Sequence, residues 1–225
     1  MSALHQGRVL ILAGSDSGGG AGIQADIKAV TMMGGFAATA ITAITVQNTL
    51  GVHGVYPLPL DLIAAQARAV LEDIGTDAFK TGMLGSVEVV ETVAALLTPN
   101  VPEAEALTGF SVHDLDGQRR AGEALLGMGA RAVLMKGGHV SGPTVIDLLM
   151  TADGETVLEA ERIDTRHTHG TGCTLASACA AGLALGRPLE VAVAEAWAYV
   201  GEAIRRAPGL GGGHGPLDHG WPVRG

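Results

Sequence analysis

Apolar and polar positions along the chain alternate between two kinds of period. Arg8–Gly14 (RVLILAG) is a short apolar run closed by glycine and reads as a buried strand. A glycine cluster, Gly18–Gly22, follows, and then Ile23, Ile27, Val30 and Thr31 recur at helical spacing up to Gly34-Gly35. Phe36–Gln47, rich in Thr, Ile and Val, predicts the next strand. Pro59–Ile74 predicts an amphipathic helix with Leu62, Ile63, Ala67, Val70 and Leu71 on one side, and Ala78–Leu84 a third strand. Ser86 is placed to cap a helix carrying Val87, Val90 and Leu97, and a further helix starts near Val101, just past Asn100. Asp116–Met128 reads as a helix stopped by Gly129, and Arg131–Gly137 (RAVLMKG) as a buried strand. Val145–Met150 and Thr156–Ile163, joined across Asp153-Gly154, predict a β-hairpin. Helices at Thr174–Leu185 and Leu189–Arg206 precede a Gly/Pro-rich tail from Gly209. Strands and helices in alternation, the strands almost wholly apolar, predict an α/β fold with a mostly parallel sheet covered by helices.

Composition narrows this picture. Aromatic residues make up only 3% of the 225, so the core has to be built from Ala, Val, Leu and Ile. A length of this order fits one domain, 1–225, with no internal repeat or linker. The net charge of −9 and the lack of a basic run argue against nucleic acid as a partner. No apolar stretch is long enough for a membrane span. Met1–Gly7 lacks the pattern of a signal peptide, and two cysteines six residues apart do not suggest a disulfide framework, so a cytoplasmic setting is expected.

Candidate chemistry gathers at a few places. Thr168–Cys173 leads from a strand-like stretch into a helix rich in Ala and Ser. Successive N–H groups of Gly170, Thr171, Gly172 and Cys173 at such a helix start make an anion site. Cys173, in the first turn, is a candidate base because a thiolate is favoured there. Cys179 reads as a small core residue, and His167, His169 and Cys173 together also allow a metal site. Gly20-Ala21-Gly22-Ile23-Gln24-Ala25 matches G-x-G-x-x-A, but the acidic residue that a dinucleotide site wants about 20 positions on is missing. The cluster is better read as a loop admitting close backbone approach to a ligand. Gly75–Thr81 imitates a P-loop, with Phe79 where glycine is needed before Lys80. Lys136, before Gly137-Gly138, is either an edge lysine with a buried stem or a phosphate partner. Asn100 and Glu103 fit a capping box and, equally, a polar pair near Mg²⁺ and phosphates. Asp26 and Gln47 are polar residues in apolar surroundings, and Gln47 ends a strand, where parallel sheets place ligands.

The stretches AGSDSGGGAGIQADIKA (13–29), ITAITVQNTLGV (41–52), KTGMLGS (80–86), TPNVPEAEALTG (98–109), VLMKGGH (133–139), THGTGCTLASA (168–178) and GGGHGPLDH (211–219) together resemble the hydroxymethylpyrimidine/phosphomethylpyrimidine kinases of the ribokinase-like superfamily. The resemblance implies a three-layer α/β/α sandwich, ATP and Mg²⁺, and phosphorylation of a hydroxymethylpyrimidine and then of its monophosphate in thiamine biosynthesis. It maps Gly14, Ala21, Asp26, Gln47 and Met83 to the pyrimidine pocket, Asn100 and Glu103 to Mg²⁺ and phosphate, Lys136 to a phosphate contact, and Gly170–Cys173 to the anion hole with Cys173 as base. A homodimer is expected. The rivals are a pyridoxal or pyridoxine kinase on the same scaffold, a pyrimidine-binding module without catalysis, and a metal-dependent hydrolase using His167, His169 and Cys173. A strand-bearing family segment is absent between Leu97 and Thr98. The expectation attached to this is that intervening residues are disordered, with Leu97 and Thr98 much farther apart than the ~3.8 Å of a trans peptide; the alternative is a true deletion of the strand, which would put catalysis in doubt and favour the binding module.

Overall fold

The structure, a computed structural model, describes residues 7–82 and 96–224. They form two compact units, the first lying within Met1–Val87 and Thr165–Gly225, the second within Glu88–Asp164. Met83 and most of the helix expected behind Ser86 lie outside the described residues.

The first unit is built on a parallel sheet in the order β2-β1-β5, with β1 at Arg8–Ala13, β2 at Phe36–Ile41 and β5 at Ala78–Thr81. Val9, Ile11 and Ala13 of β1 pack with Ile23 and Val30 of α1 (Gly22–Met32) and with Ala180, Ala181 and Ala184 of α5 (Thr171–Ala184). Small residues on α5 let helix and sheet come close, which is how a core so poor in aromatics closes. Helix α2 (Leu60–Asp73) packs near β2, and α6 (Leu189–Arg205) lies along α5. The single strand expected over Phe36–Gln47 is two. At Thr42 the chain leaves β1, and β3 (Ala43–Asn48) pairs antiparallel with β4 (Gly51–Pro57). Asn48 Oδ1 accepts from Leu50 N–H at 2.9 Å and Gly51 N–H at 3.2 Å, an Asx turn that folds β4 back. The tail is not a loose end. His214 N–H donates to Thr49 O at 2.9 Å and Gly215 N–H to His167 Nδ1 at 3.2 Å. Asp218 N–H reaches Ala203 O at 3.0 Å.

The second unit carries a four-stranded sheet, β6-β7-β8-β9. The hairpin is as expected, β8 (Thr144–Thr151) antiparallel to β9 (Gly154–Glu161), with β7 (Ala132–Met135) beside β8. Helices α3 (Val101–Thr108) and α4 (Leu115–Gly127) supply Val101, Ala104, Ala121 and Leu125 to a core with Val133, Met135, Leu148 and Met150. Two expectations are corrected here. Leu96–Leu97 are not the end of a helix; they are a strand, β6, parallel to β7. Nor is there a jump at Leu97–Thr98. Leu96 pairs with Ala132, Leu97 with Val133 and Asn100 with Lys136, one register kept throughout. Leu97 matched the helical spacing of Val87 and Val90, but its partner is a strand, which periodicity cannot see.

Candidate active site

The glycine loop of the first unit is organised by a carboxylate. Asp16, buried, accepts Gly18 N–H on Oδ1 at 2.8 Å, and Gly20 and Ala21 N–H on Oδ2 at 3.0 and 2.7 Å. His169 Nε2 stands 2.9 Å from the same Oδ2. Burial alone would raise this carboxyl, but the bonds from His169, Ala21 and Gly18 outweigh it and hold it below its usual value. The Asp-before-glycines pattern was readable as a turn signal, yet nothing in the sequence told that His169, 153 residues away, completes it.

This loop lies against the start of α5. Gly170 caps that helix with φ of 84°, and a Cβ there would stand 1.7 Å from Gly20 O. A Cβ on Gly20 would in turn come 2.6 Å from His169 Cδ2. Glycine at both positions is required by this crossing of two backbones. Thr171 Oγ1 donates to Thr168 O at 2.7 Å, and Thr174 N–H closes the first helical bond to Gly170 O at 2.9 Å. No side chain caps α5, and the N–H groups of Gly172 and Cys173 find no acceptor among the described residues. They are the orphan donors of a helix start, and Cys173 is partly exposed beside them. Cys179 is buried and its thiol is pushed up to about 12 by burial, as suits an inert core residue.

Gln47 is brought to this place. Ser17 Oγ donates to Gln47 O at 2.7 Å and accepts Gln47 N–H at 2.8 Å, and the Gln47 amide lies 3.1 Å from His169 Nε2. Gly14 is buried beneath the loop and Ala21 half-buried within it. Asp26, expected in the pyrimidine pocket, is engaged by two side chains. It is fully buried, with Lys80 Nζ on Oδ2 and Ser177 Oγ on Oδ1, each at 2.7 Å. Ser177 is one helical turn beyond Cys173, so Asp26 ties α1 and β5 to α5 near that helix start. Burial raises its carboxyl, and Lys80 and Ser177 offset that only in part. Nothing local to Lys80, in its imperfect P-loop pattern, signals a partner 54 residues away.

Behind α5, Thr174 Oγ1 donates to Gly170 O at 2.8 Å, so at 3.0 Å from His219 Nε2 it accepts. His219 is buried and held down to about 4, by burial and then by the charge of Lys28. His167 turns to Gly215 and His169 to Asp16, so the rival His-His-Cys metal cluster does not form, and no group of three or more His, Cys, Asp or Glu among the described residues could hold an ion.

In the second unit, Asn100 and Glu103 form a full capping box at the start of α3. Asn100 Oδ1 accepts Glu103 N–H at 2.9 Å, and Glu103 Oε2 accepts Asn100 N–H at 2.8 Å. Lys136 lies beside them, its N–H on Pro99 O at 2.9 Å and its Nζ 3.9 Å from Glu103 Oε2. The Gly137 N–H is held by Asp147 Oδ1 at 2.7 Å, and Arg162 binds the carbonyls of Gly138, Val140 and Gly142. Asn100, Glu103 and Lys136 are thus one cluster of this unit, oxygen donors with a cation.

Comparison with known proteins gives a consistent set of likenesses. A family described as phosphomethylpyrimidine kinase matches residues 16–98 and 93–218. A hydroxymethylpyrimidine/phosphomethylpyrimidine kinase of Streptomyces coelicolor is 46% identical over 256 residues, an alignment covering 96% of this chain and 95% of that one. That span exceeds the 225 residues here, so the relative carries residues without a counterpart. Among solved structures, Bacillus subtilis pyridoxal kinase, as its ADP complex, superimposes with a TM-score of 0.91 at 30% identity, covering 98% of this chain and 100% of that one. The phosphomethylpyrimidine kinase of Clostridium difficile 630 gives 0.75 at 35% identity, covering 87% and 100%.

Proposed function

This chain belongs to the phosphomethylpyrimidine kinase family, with a ribokinase-like α/β fold, and on that premise we propose that it moves the γ-phosphoryl group of ATP onto the hydroxymethyl group of 4-amino-5-hydroxymethyl-2-methylpyrimidine and then onto the resulting monophosphate, in thiamine biosynthesis. The observation that carries the reading is the start of α5, where Gly172 and Cys173 are donors without an acceptor among the described residues and the Asp16 loop is crossed over them.

Phosphoryl transfer asks little covalent chemistry of a protein; positioning and charge stabilisation carry the rate. In this reading the N–H groups at Gly170–Cys173 meet the anionic phosphoryl oxygens, and Cys173 accepts the proton of the hydroxyl as its oxygen attacks phosphorus. Gln47 reads the pyrimidine edge, with Gly14 and Ala21 lining the loop under it. Asp26 acts through Ser177, by fixing α5. In the second unit, Lys136 is assigned to the phosphates of ATP. Asn100 and Glu103 offer oxygen atoms of the kind Mg²⁺ takes, directly or through water, and the ion when bound spreads phosphate charge. The two units together make one kinase domain, 1–225, and we infer that the family segment missing here belongs next to β6, where the two family matches meet at 93–98. No helix among the described residues is long and apolar enough to cross a membrane, both cysteines are free, and a cytoplasmic enzyme is proposed. Ile44, Val46 and Tyr56, each largely exposed on one face of the β3–β4 hairpin, support a homodimer.

The test is ADP release with the hydroxymethylpyrimidine as acceptor, the product identified by mass spectrometry. Mono- and diphosphate are expected in succession. Binding without turnover would leave a pyrimidine-binding module. The higher TM-score to a pyridoxal kinase favours a second reading, phosphorylation of pyridoxal, and competition between the two acceptors ranks them.

A further inference from the structure

The hydrogen positions around His169 follow from the groups that surround it. Asp16 receives three backbone N–H bonds, from Gly18, Gly20 and Ala21. A carboxylate so supplied is held ionised, and an ionised carboxylate only accepts. At 2.9 Å from Asp16 Oδ2, His169 Nε2 must therefore carry the proton and donate it. The Gln47 amide nitrogen lies 3.1 Å from that same Nε2. Two donors cannot share a hydrogen bond, and the N and O ends of an amide are told apart only by their partners. The contact is satisfied when the carbonyl end of Gln47 is the second, longer acceptor of the one Nε2–H that Asp16 also receives, a three-centre bond, and the NH₂ end turns away.

We infer that Asp16 and His169 fix the polarity of the Gln47 amide, so that Gln47 offers N–H and not C=O to the substrate and selects an unprotonated aromatic ring nitrogen. Asp16 and His169 are positioning residues, Gln47 the specificity-determining one. The inference deepens the kinase reading and rests on it for the identity of the substrate. The bond at Ser17 holds the Gln47 backbone while His169 sets only the amide, so polarity can change without moving the strand.

Two measurements test it. In ¹⁵N NMR of the full chain, with the His169 signals assigned through His169→Gln, Nε2 is expected in the protonated, pyrrole-like range, and an unprotonated Nε2 overturns the inference. This readout needs no substrate; a wild-type chain that turned over no pyrimidine would sink the proposed function and leave this result to decide the inference. In kinetics, Gln47→Glu keeps acceptors and removes the NH₂. The KM for the hydroxymethylpyrimidine should rise about tenfold or more, as for a lost hydrogen bond at a buried polar group, with kcat within about threefold. An unchanged KM means that the carbonyl faces substrate and overturns the inference. His169→Phe should raise KM similarly, and His169→Gln, which keeps an N–H at similar reach, should restore it to within a few-fold; a KM indifferent to His169→Phe also overturns it.

Discussion

Removing Lys80 should expose how far the first unit depends on one buried ion pair. Lys80 and Asp26 are almost completely buried, 2.7 Å apart, and the other carboxylate oxygen is taken by Ser177. Lys80→Met fills much of the same volume but leaves a charge with no counter-ion in the core. Breaking a buried pair from one side costs ~3–5 kcal/mol. Against a typical total of ~5–15 kcal/mol this is severe, with a fall in Tm of roughly 10 °C for a domain of this size. The pH dependence gives a second signature. Asp26 is raised by burial above its ordinary 3.8 even in the wild type, and without Lys80 it rises further. Between the unfolded and folded values the folded state holds the extra proton, so the stability this group contributes is full below 3.8 and is lost as pH rises through the folded value. The variant should accordingly lose less at pH 5 than at pH 7, and Asp26→Asn in the same background should recover much of the loss. Urea unfolding followed by far-UV circular dichroism at the two pH values reads both effects. A cost below ~1 kcal/mol at pH 7, or a variant that is relatively weaker at pH 5, would refute the reasoning.

Cys173→Ala should lower kcat by roughly 10²–10⁴ with the fold intact, measured by ADP release and melting; activity within a few-fold of wild type removes the thiol from the proton transfer. Gly170→Ala forces a left-handed residue costing ~1–2 kcal/mol and drives its methyl into Gly20 O, so both Tm and kcat should drop, and a normal kcat would mean the loop crossing is dispensable. Glu103→Gln keeps the capping box and should leave stability unchanged while the Mg²⁺ concentration for half-maximal rate rises; an unchanged Mg²⁺ profile assigns Glu103 to capping alone. His219, neutral in the fold, contributes stability that is full above 6.5 and is lost as pH falls toward about 4, roughly 3 kcal/mol in all, and His219→Gln should flatten that part of the urea-midpoint profile.

How much of this was readable beforehand depends on the range of the interaction. Strands β1 and β7, helices α1, α2 and α4–α6, and the β8–β9 hairpin are each set by local periodicity and turn chemistry, and the sequence predicts them to within a few residues. The Asn100–Glu103 box was legible for the same reason, since both partners sit in one turn. The Phe36–Gln47 run has uniform β-propensity, so its division at Thr42 is decided by pairing with β1 on one side and β4 on the other. Leu96–Leu97 are assigned by β7, and the Asp26–Lys80–Ser177 knot by three segments far apart in sequence. The helix start at Gly170–Cys173 could be found from its glycines; that Asp16 and His169 buttress it could not.

The closure of the glycine loop by His169 and of the Thr49 turn by His214 also bears on how the chain is made. Synthesis runs from the N-terminus, and domains usually fold as they emerge. Here β1, α1 and the β3–β4 hairpin leave the ribosome well before α5, whose alanines cover one face of β1, and the segment from Glu88 to Asp164 is translated in between. The nascent first half must wait with Val9, Ile11 and Ile23 uncovered, a chain of high contact order with a window for chaperones or aggregation.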